Sequence, residues 1–263
     1  MKKYLAIGSS QLGGFKRGVD LFNSQLYEDI DFARLWETGF GYLELNSQGL
    51  IVAPDKVPEQ NNGKNINLKS IWKIHRTSRL PCIYDYQKIF VLASPCKYFS
   101  PFYYQKGMPI PLSSVLLKAC LNSWQVDCLN YDAISPWHFR ISSIVGQIVR
   151  ACPEKVVFIG APLPIEGAEK NYFETLRTVL EENSTLKECH LENMHKIRQL
   201  CSISADQSEG MPLKIFLPPA ELLCDLTLTT LSKFSPPSGS AWHASLDYWH
   251  SVVSELARVD LIS

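Results

Sequence analysis

The sequence predicts an α/β domain with a mainly parallel sheet covered by helices on both faces, and two observations predict it. Four short apolar runs, residues 4–7, 88–93, 155–159 and 214–217, have the length and bulk of strands buried on both sides, and a Gly, Ser or Pro follows each within two residues. Stretches of helical period separate and follow these runs. Strands that alternate with helices pair in parallel, because each helix carries the chain back across the sheet.

In chain order, the first run ends at Gly8, the polar residues Ser9, Ser10 and Gln11 follow, and Leu12, Phe15, Val19 and Phe22 then recur along one helix face. Strand, loop and helix are therefore expected in immediate succession. Residues 41–80 keep no period and hold Asn61-Asn62-Gly63-Lys64-Asn65 in their middle, which predicts a hairpin and a surface excursion inserted into the domain. Helices are expected over residues 112–124, 137–152 and 173–200, and a last one over about 244–259. A loop of Pro, Ser and Gly at residues 235–240 delivers the chain to that last helix. No repeat, low-complexity tract or linker divides the 263 residues, so one domain spanning 1–263 is expected.

With 46% hydrophobic, 11% aromatic and 20% charged residues, the composition is that of a globular protein able to bury a core. Lys and Arg together number 26, as do Asp and Glu, so no basic footprint exists for nucleic acid or an anionic membrane surface, and neither partner is expected. No apolar run approaches the roughly 20 residues needed to span a bilayer. The apolar run after Met1-Lys2-Lys3 is too short for the h-region of a signal peptide, which predicts a cytoplasmic location. The eight cysteines stand singly, without C-x-x-C pairs or the spacing of metal ligands, and are expected as free buried thiols.

Ligands of an open parallel sheet bind beyond the carboxyl ends of its strands, and the first strand ends at Gly8-Ser9-Ser10. A serine there meets a helix N-terminus, whose unpaired N–H groups and dipole suit a developing oxyanion or a bound anion. Capping that helix is the plainer use of the same residue. Gly8 and Gly13 have the separation of the two P-loop glycines, but Gly14-Phe15 stands where Lys and Ser/Thr must follow, which excludes that motif. A nucleophilic serine needs a base within reach. His75 falls in the irregular stretch and His138, His190 and His195 in helical patterns; His190 and His195 are five apart, off the spacing of a helical metal pair. His243 and His250 remain. His243 directly precedes the last helix, and His250 lies within it, three residues after Asp247, a D-x-x-H pattern that also suits a solvated ion pair.

These residues resemble the SGNH or GDSL-like hydrolases, whose nucleophilic serine follows the first strand in G-D-S or G-N-S and whose histidine comes near the C-terminus. Gly8-Ser9-Ser10 looks like G-N-S, and residues 7–16 are similar to the G-N-S-H-x-x-x-x-K opening of a bacterial branch, with Gln11 in place of its His and Lys16 in register. His243-Ala244-Ser245-Leu246-Asp247-Tyr248 is similar to the H-x-N-x-x-Y-G ending of that branch, which favours His243 over His250. Ile159-Gly160-Ala161-Pro162-Leu163-Pro164 and Leu217-Pro218-Pro219 look like its strand-end proline loops.

The resemblance implies a flavodoxin-like three-layer α/β/α sandwich and a serine esterase or acyl-transfer enzyme. Ser10 is the nucleophile, His243 the base, and Asp247 and His250 the alternative acid and base. It implies no metal and no cofactor, and a small-molecule or carbohydrate ester as substrate; no residue selects the acyl group or an oligomeric state. Where the family places an acid, three residues before the histidine, this chain has Ser240, so Asp225 or Asp247 substitutes, or a serine–histidine dyad acts alone. The same departure supports a second reading, a catalytically inactive module of this fold that binds a glycan or a protein. A phosphate- or nucleotide-binding protein using the helix N-terminus after Gly8 is a third.

Overall fold

The structure is a computed structural model that describes residues 3–8, 11–35, 43–52, 72–74, 81–92, 144–160, 162, 165, 181–182, 184, 187–188, 214–216, 218–225, 230–238 and 243–262. Strand β1 (Tyr4–Gly8) leads to helices α1 (Leu12–Phe22) and α2 (Ser24–Glu28) and then β2 (Ile30–Leu35). A hairpin of β3 (Glu44–Leu45) and β4 (Ile51–Val52) precedes β5 (Trp72–Ile74) and β6 (Lys88–Leu92). Helix α3 (Ile144–Ala151), strands β7 (Val156–Ile159) and β8 (Lys214–Phe216), and helix α4 (Leu246–Arg258) follow. The helix expected over 112–124 lies outside the described residues, as do the first residues of the one expected over 137–152.

The main sheet has the order β5-β2-β1-β6-β7-β8, with β2, β1, β6, β7 and β8 parallel and β5 an antiparallel edge. The expected α/β architecture with a mainly parallel sheet is therefore present. Counted along the chain, the parallel strands lie in the order 2-1-3-4-5: the chain winds outward from β1 to β2, then returns to β6 on the other side of β1. That reversal makes a topological switch point between the carboxyl ends of β1 and β6, at Gly8 and Leu92.

Alternation along the strands divides the core in two. Tyr4 and Ala6 of β1, Phe90 and Leu92 of β6, and Val157 and Ile159 of β7 face α1 and α4. Leu5 and Ile7, Ile89 and Val91, and Val156 and Phe158 face α3, whose Ile144, Val145, Ile148 and Val149 are buried against them. Burial on both faces is what makes these strands unbroken apolar runs. The hairpin covers the second face with Leu43 and Ile51, and Leu45 N–H donates to Gln147 Oε1 at 2.8 Å. Its turn depends on Asn46, whose Oδ1 accepts from Gln48 and Leu50 N–H, and on Gly49 at φ +75°. The irregular 41–80 stretch thus supplies both part of the core and, through β5, an edge strand.

Helix α1 buries Leu12, Phe15 and Val19 on one face. It stops at Asn23, whose extended backbone leaves the helix and whose side chain caps α2 by accepting from Gln25 and Leu26 N–H. Strand β2 breaks its apolar run with Asp31, which is buried at the amino end of the sheet. Its Oδ2 accepts from Tyr86 Oη at 2.8 Å. Burial first, and then the hydrogen bond and charge of Asp31, push the Tyr86 hydroxyl well above tyrosine's ordinary 10.0.

The folded state keeps a proton that the unfolded chain releases above about pH 10, so this contribution is complete below that pH and declines above it. Replacing Tyr86 by Phe leaves a buried carboxylate without this donor and is expected to lower unfolding free energy by about 1–3 kcal/mol at pH 8. In urea titrations the gap between wild type and Y86F should narrow as pH is raised past about 10; a gap constant to about pH 11 would contradict this account. On α1, a Cβ at Gly13 meets no heavy atom within 4 Å. Gly13→Ala should therefore raise stability by about 0.5–1 kcal/mol, read as a higher melting temperature.

Candidate functional site

Gly8 closes β1 beside Leu92. A Cβ at Gly8 would stand 2.9 Å from Leu92 Cβ and 3.3 Å from its carbonyl oxygen, so glycine is what lets β1 and β6 end side by side. Gln11 then opens α1, its carbonyl accepting from Gly14 and Phe15 N–H at 3.1 Å. A helix that starts here presents its leading amides and the positive end of its dipole at the switch point. Ser9 and Ser10, which join Gly8 to Gln11 in the chain, lie outside the described residues.

The last helix starts at the same edge of the sheet. Helix α1 leads from the carboxyl end of β1 back to the amino end of the parallel β2, so it runs opposite to the strands. Helix α4 does likewise. At its far end the chain turns through Asp260 at φ 56°, with Leu261 N–H donating to Leu256 O and Asp260 N–H to Ala257 O, the pair of bonds of a Schellman cap. Lys88, the first residue of β6, donates from Nζ at 2.9 Å to the carbonyls of both Asp260 and Leu261. The end of α4 is thereby held at the amino edge of the sheet, and its 13 residues, about 20 Å of helix, carry its start to the carboxyl edge.

Trp249 sets the level of α4 against α1. A Cβ at Gly18 would stand 2.7 Å from the Trp249 carbonyl carbon, so the two backbones meet there. His243 stands three residues before Leu246, the first residue of α4, in the non-helical segment that leads into it at this edge of the sheet. The side chain of His243 is exposed, while Ala244 next to it is buried. Ser245 caps α4: its Oγ accepts from Tyr248 N–H at 3.5 Å, and its own N–H donates to Phe234 O at 2.8 Å. Phe234 belongs to a 3-10 turn at Ser232–Phe234, and its ring meets Tyr248 edge-on at 5.8 Å. The hydrogen bond from Ser245 to Phe234 and the contact of the Phe234 and Tyr248 rings tie the start of α4 to the loop before it.

The alternative acid and base are differently placed. Asp247 is exposed in the first turn of α4, and its carbonyl accepts from Ser251 Oγ. His250 is half-buried, with its ring 6.0 Å from that of Phe22, the last residue of α1. Phe22 is about 15 Å of helix from the start of α1, so His250 packs along the helix pair rather than at its head. Asp247 and His250, both among the described residues, form no ion pair with each other. Asp225 is exposed in a turn after β8. Ser240, His75, His138, His190 and His195 lie outside the described residues.

Among the described residues Cys82, Cys152 and Cys224 form no disulfide. Burial, aided by the charge of Glu154, pushes the Cys152 thiol up to about 11, which keeps it protonated and chemically quiet at neutral pH. No helix among the described residues is long and apolar enough to cross a membrane. Comparison of the chain with models of known protein families, with curated proteins and with solved structures finds no match.

The capping bond of Ser245 is long, so Ser245→Ala should cost about 0.5 kcal/mol, the low end of the range for lost N-caps, by chemical denaturation. A loss above about 2 kcal/mol would mean that the hydroxyl does more than cap the helix.

Proposed function

We propose that this protein is a serine esterase or acyl-transfer enzyme of the SGNH type, with Ser10 as nucleophile and His243 as general base. One observation carries the reading: α4, which His243 precedes by three residues, starts at the same edge of the sheet as that at which β1 ends and α1 begins. The strand order 2-1-3-4-5 supports it too, because that is the flavodoxin-like order, with its ligand-binding crevice between the first and third strands.

In this reading Ser10 Oγ attacks the carbonyl carbon of an ester while His243 accepts the hydroxyl proton. Backbone N–H groups at the start of α1 hold the oxyanion. His243 then returns the proton to the departing alkoxide, and the acyl-serine is released to water or to an acceptor hydroxyl. No metal or cofactor enters these steps. Asp247, the carboxylate closest to His243 in the chain, is the candidate to orient the imidazole, and a small-molecule or carbohydrate ester is the substrate.

Covalent labelling by a fluorophosphonate, followed by intact mass and peptide mapping, tests this directly. The adduct should map to Ser10 and be absent in Ser10→Ala. In His243→Ala its rate should fall by about 10²–10⁴-fold, while His250→Ala labels like wild type. A folded wild type that takes no adduct would defeat the enzymatic reading. Ser240, standing where the family has an acid, would then favour a glycan- or protein-binding module on the same fold.

A further inference from the structure

We infer that Gly14, Gly18 and Trp249 are positioning residues for the chemistry at the carboxyl edge of the sheet: together they form the seat that sets the separation between the starts of α1 and α4. The inference rests on the Ser10 and His243 reading above.

Gly14 and Gly18 lie four apart on one face of α1, and both face Trp249. The edge of the indole occupies the space of a Gly14 side chain, with Trp249 Cδ1 2.5 Å from where a Cβ would stand and Nε1 closer still. At Gly18 the obstacle is backbone, with the Trp249 carbonyl carbon at 2.7 Å and its oxygen at 2.9 Å. The adjacent Gly13 meets nothing, so close approach is confined to the face that receives α4. Trp249 is 1% exposed and is backed edge-on by Phe15 at 6.1 Å and Tyr248 at 5.4 Å. Its indole therefore has little room to turn aside.

Helix α4 is held by this seat near its start and by Lys88 at its end, and His243 lies three residues before its first residue. A methyl group added in the seat pushes the head of α4 outward while the Lys88 clamp keeps its tail in place. A displacement of about 1 Å between a nucleophile and its base is enough to lower a rate about a hundredfold.

The two glycines differ in what they touch, and this makes the test specific. At Gly14 the neighbour is a side chain that mutation can shorten; at Gly18 it is backbone that no side-chain change removes. The experiment follows fluorophosphonate inactivation at Ser10, measuring maximal rate and half-saturating concentration well below each variant's melting temperature. Gly14→Ala and Gly18→Ala should each lower the maximal rate by about tenfold to a hundredfold, with the half-saturating concentration within about twofold. Trp249→Met, whose flexible thioether can leave the seat, should restore the rate in the Gly14→Ala background and fail to do so in the Gly18→Ala background.

Val253→Ala, which loosens the buried face of α4 one turn beyond Trp249, should label like wild type and separates positioning from simple destabilisation. Equal rates in wild type and both glycine variants overturn the inference. So does rescue of both backgrounds, or a comparable loss in Val253→Ala. Where Gly14→Ala alone does not fold, the double variant Gly14→Ala/Trp249→Met carries the test, and a rate more than about tenfold below wild type overturns the inference. A wild type that takes no label at Ser10 fails at an earlier step and rejects the hydrolase reading itself.

Discussion

The contact between Trp249 and the glycine face of α1 joins the two ends of the chain, and the first hydrophobic core is built around it. Helix α1 covers the face of β1 and β6 that carries Tyr4, Ala6 and Phe90, and α4 completes the cover with Tyr248, Trp249, Val252 and Leu256. Each large side chain buried there contributes about 1.5–3 kcal/mol of hydrophobic free energy. Without α4 that face is half open. The seat is narrow because the Trp249 backbone meets Gly18 and the edge of its indole fills the space beside Gly14, so the depth of α4 follows from contacts that leave no room for a side chain on α1.

The two edges of the sheet are treated differently. At the amino edge the polar groups are consumed in structure: Asp31 accepts from the Tyr86 hydroxyl, and Lys88 spends its ammonium on the last carbonyls of α4. At the carboxyl edge, two helices begin beside the point where the winding of the sheet reverses. Helix starts carry donors and partial positive charge, and a switch point leaves a crevice between the loops on either side of it. The chemistry proposed for this protein belongs at that edge because the helix starts and the switch point lie there.

Much of this was legible in the sequence for a definite physical reason. Strands buried on both faces must be apolar, so β1, β6 and β7 appear as apolar runs, and α1 and α4 show one apolar face at helical spacing. Strand β2 escapes that criterion because Asp31 and Arg34 interrupt it, and Asp31 is tolerated only because Tyr86, 55 residues away, satisfies it. Strand β5 escapes it because a three-residue antiparallel edge carries too short a pattern to read.

The site divides in the same way. Local sequence determined that the first strand ends at Gly8 shortly before a helix and that His243 stands just before the last helix, since both follow from where apolar periodicity starts and stops. Sequence alone did not determine that these two places share one edge of the sheet. That depends on the direction in which α4 lies across it, which is set by Lys88 reaching the end of α4 and by Trp249 meeting Gly14 and Gly18. Those contacts join residues more than 170 positions apart, so no local pattern records them, and only the packed tertiary structure could decide the arrangement.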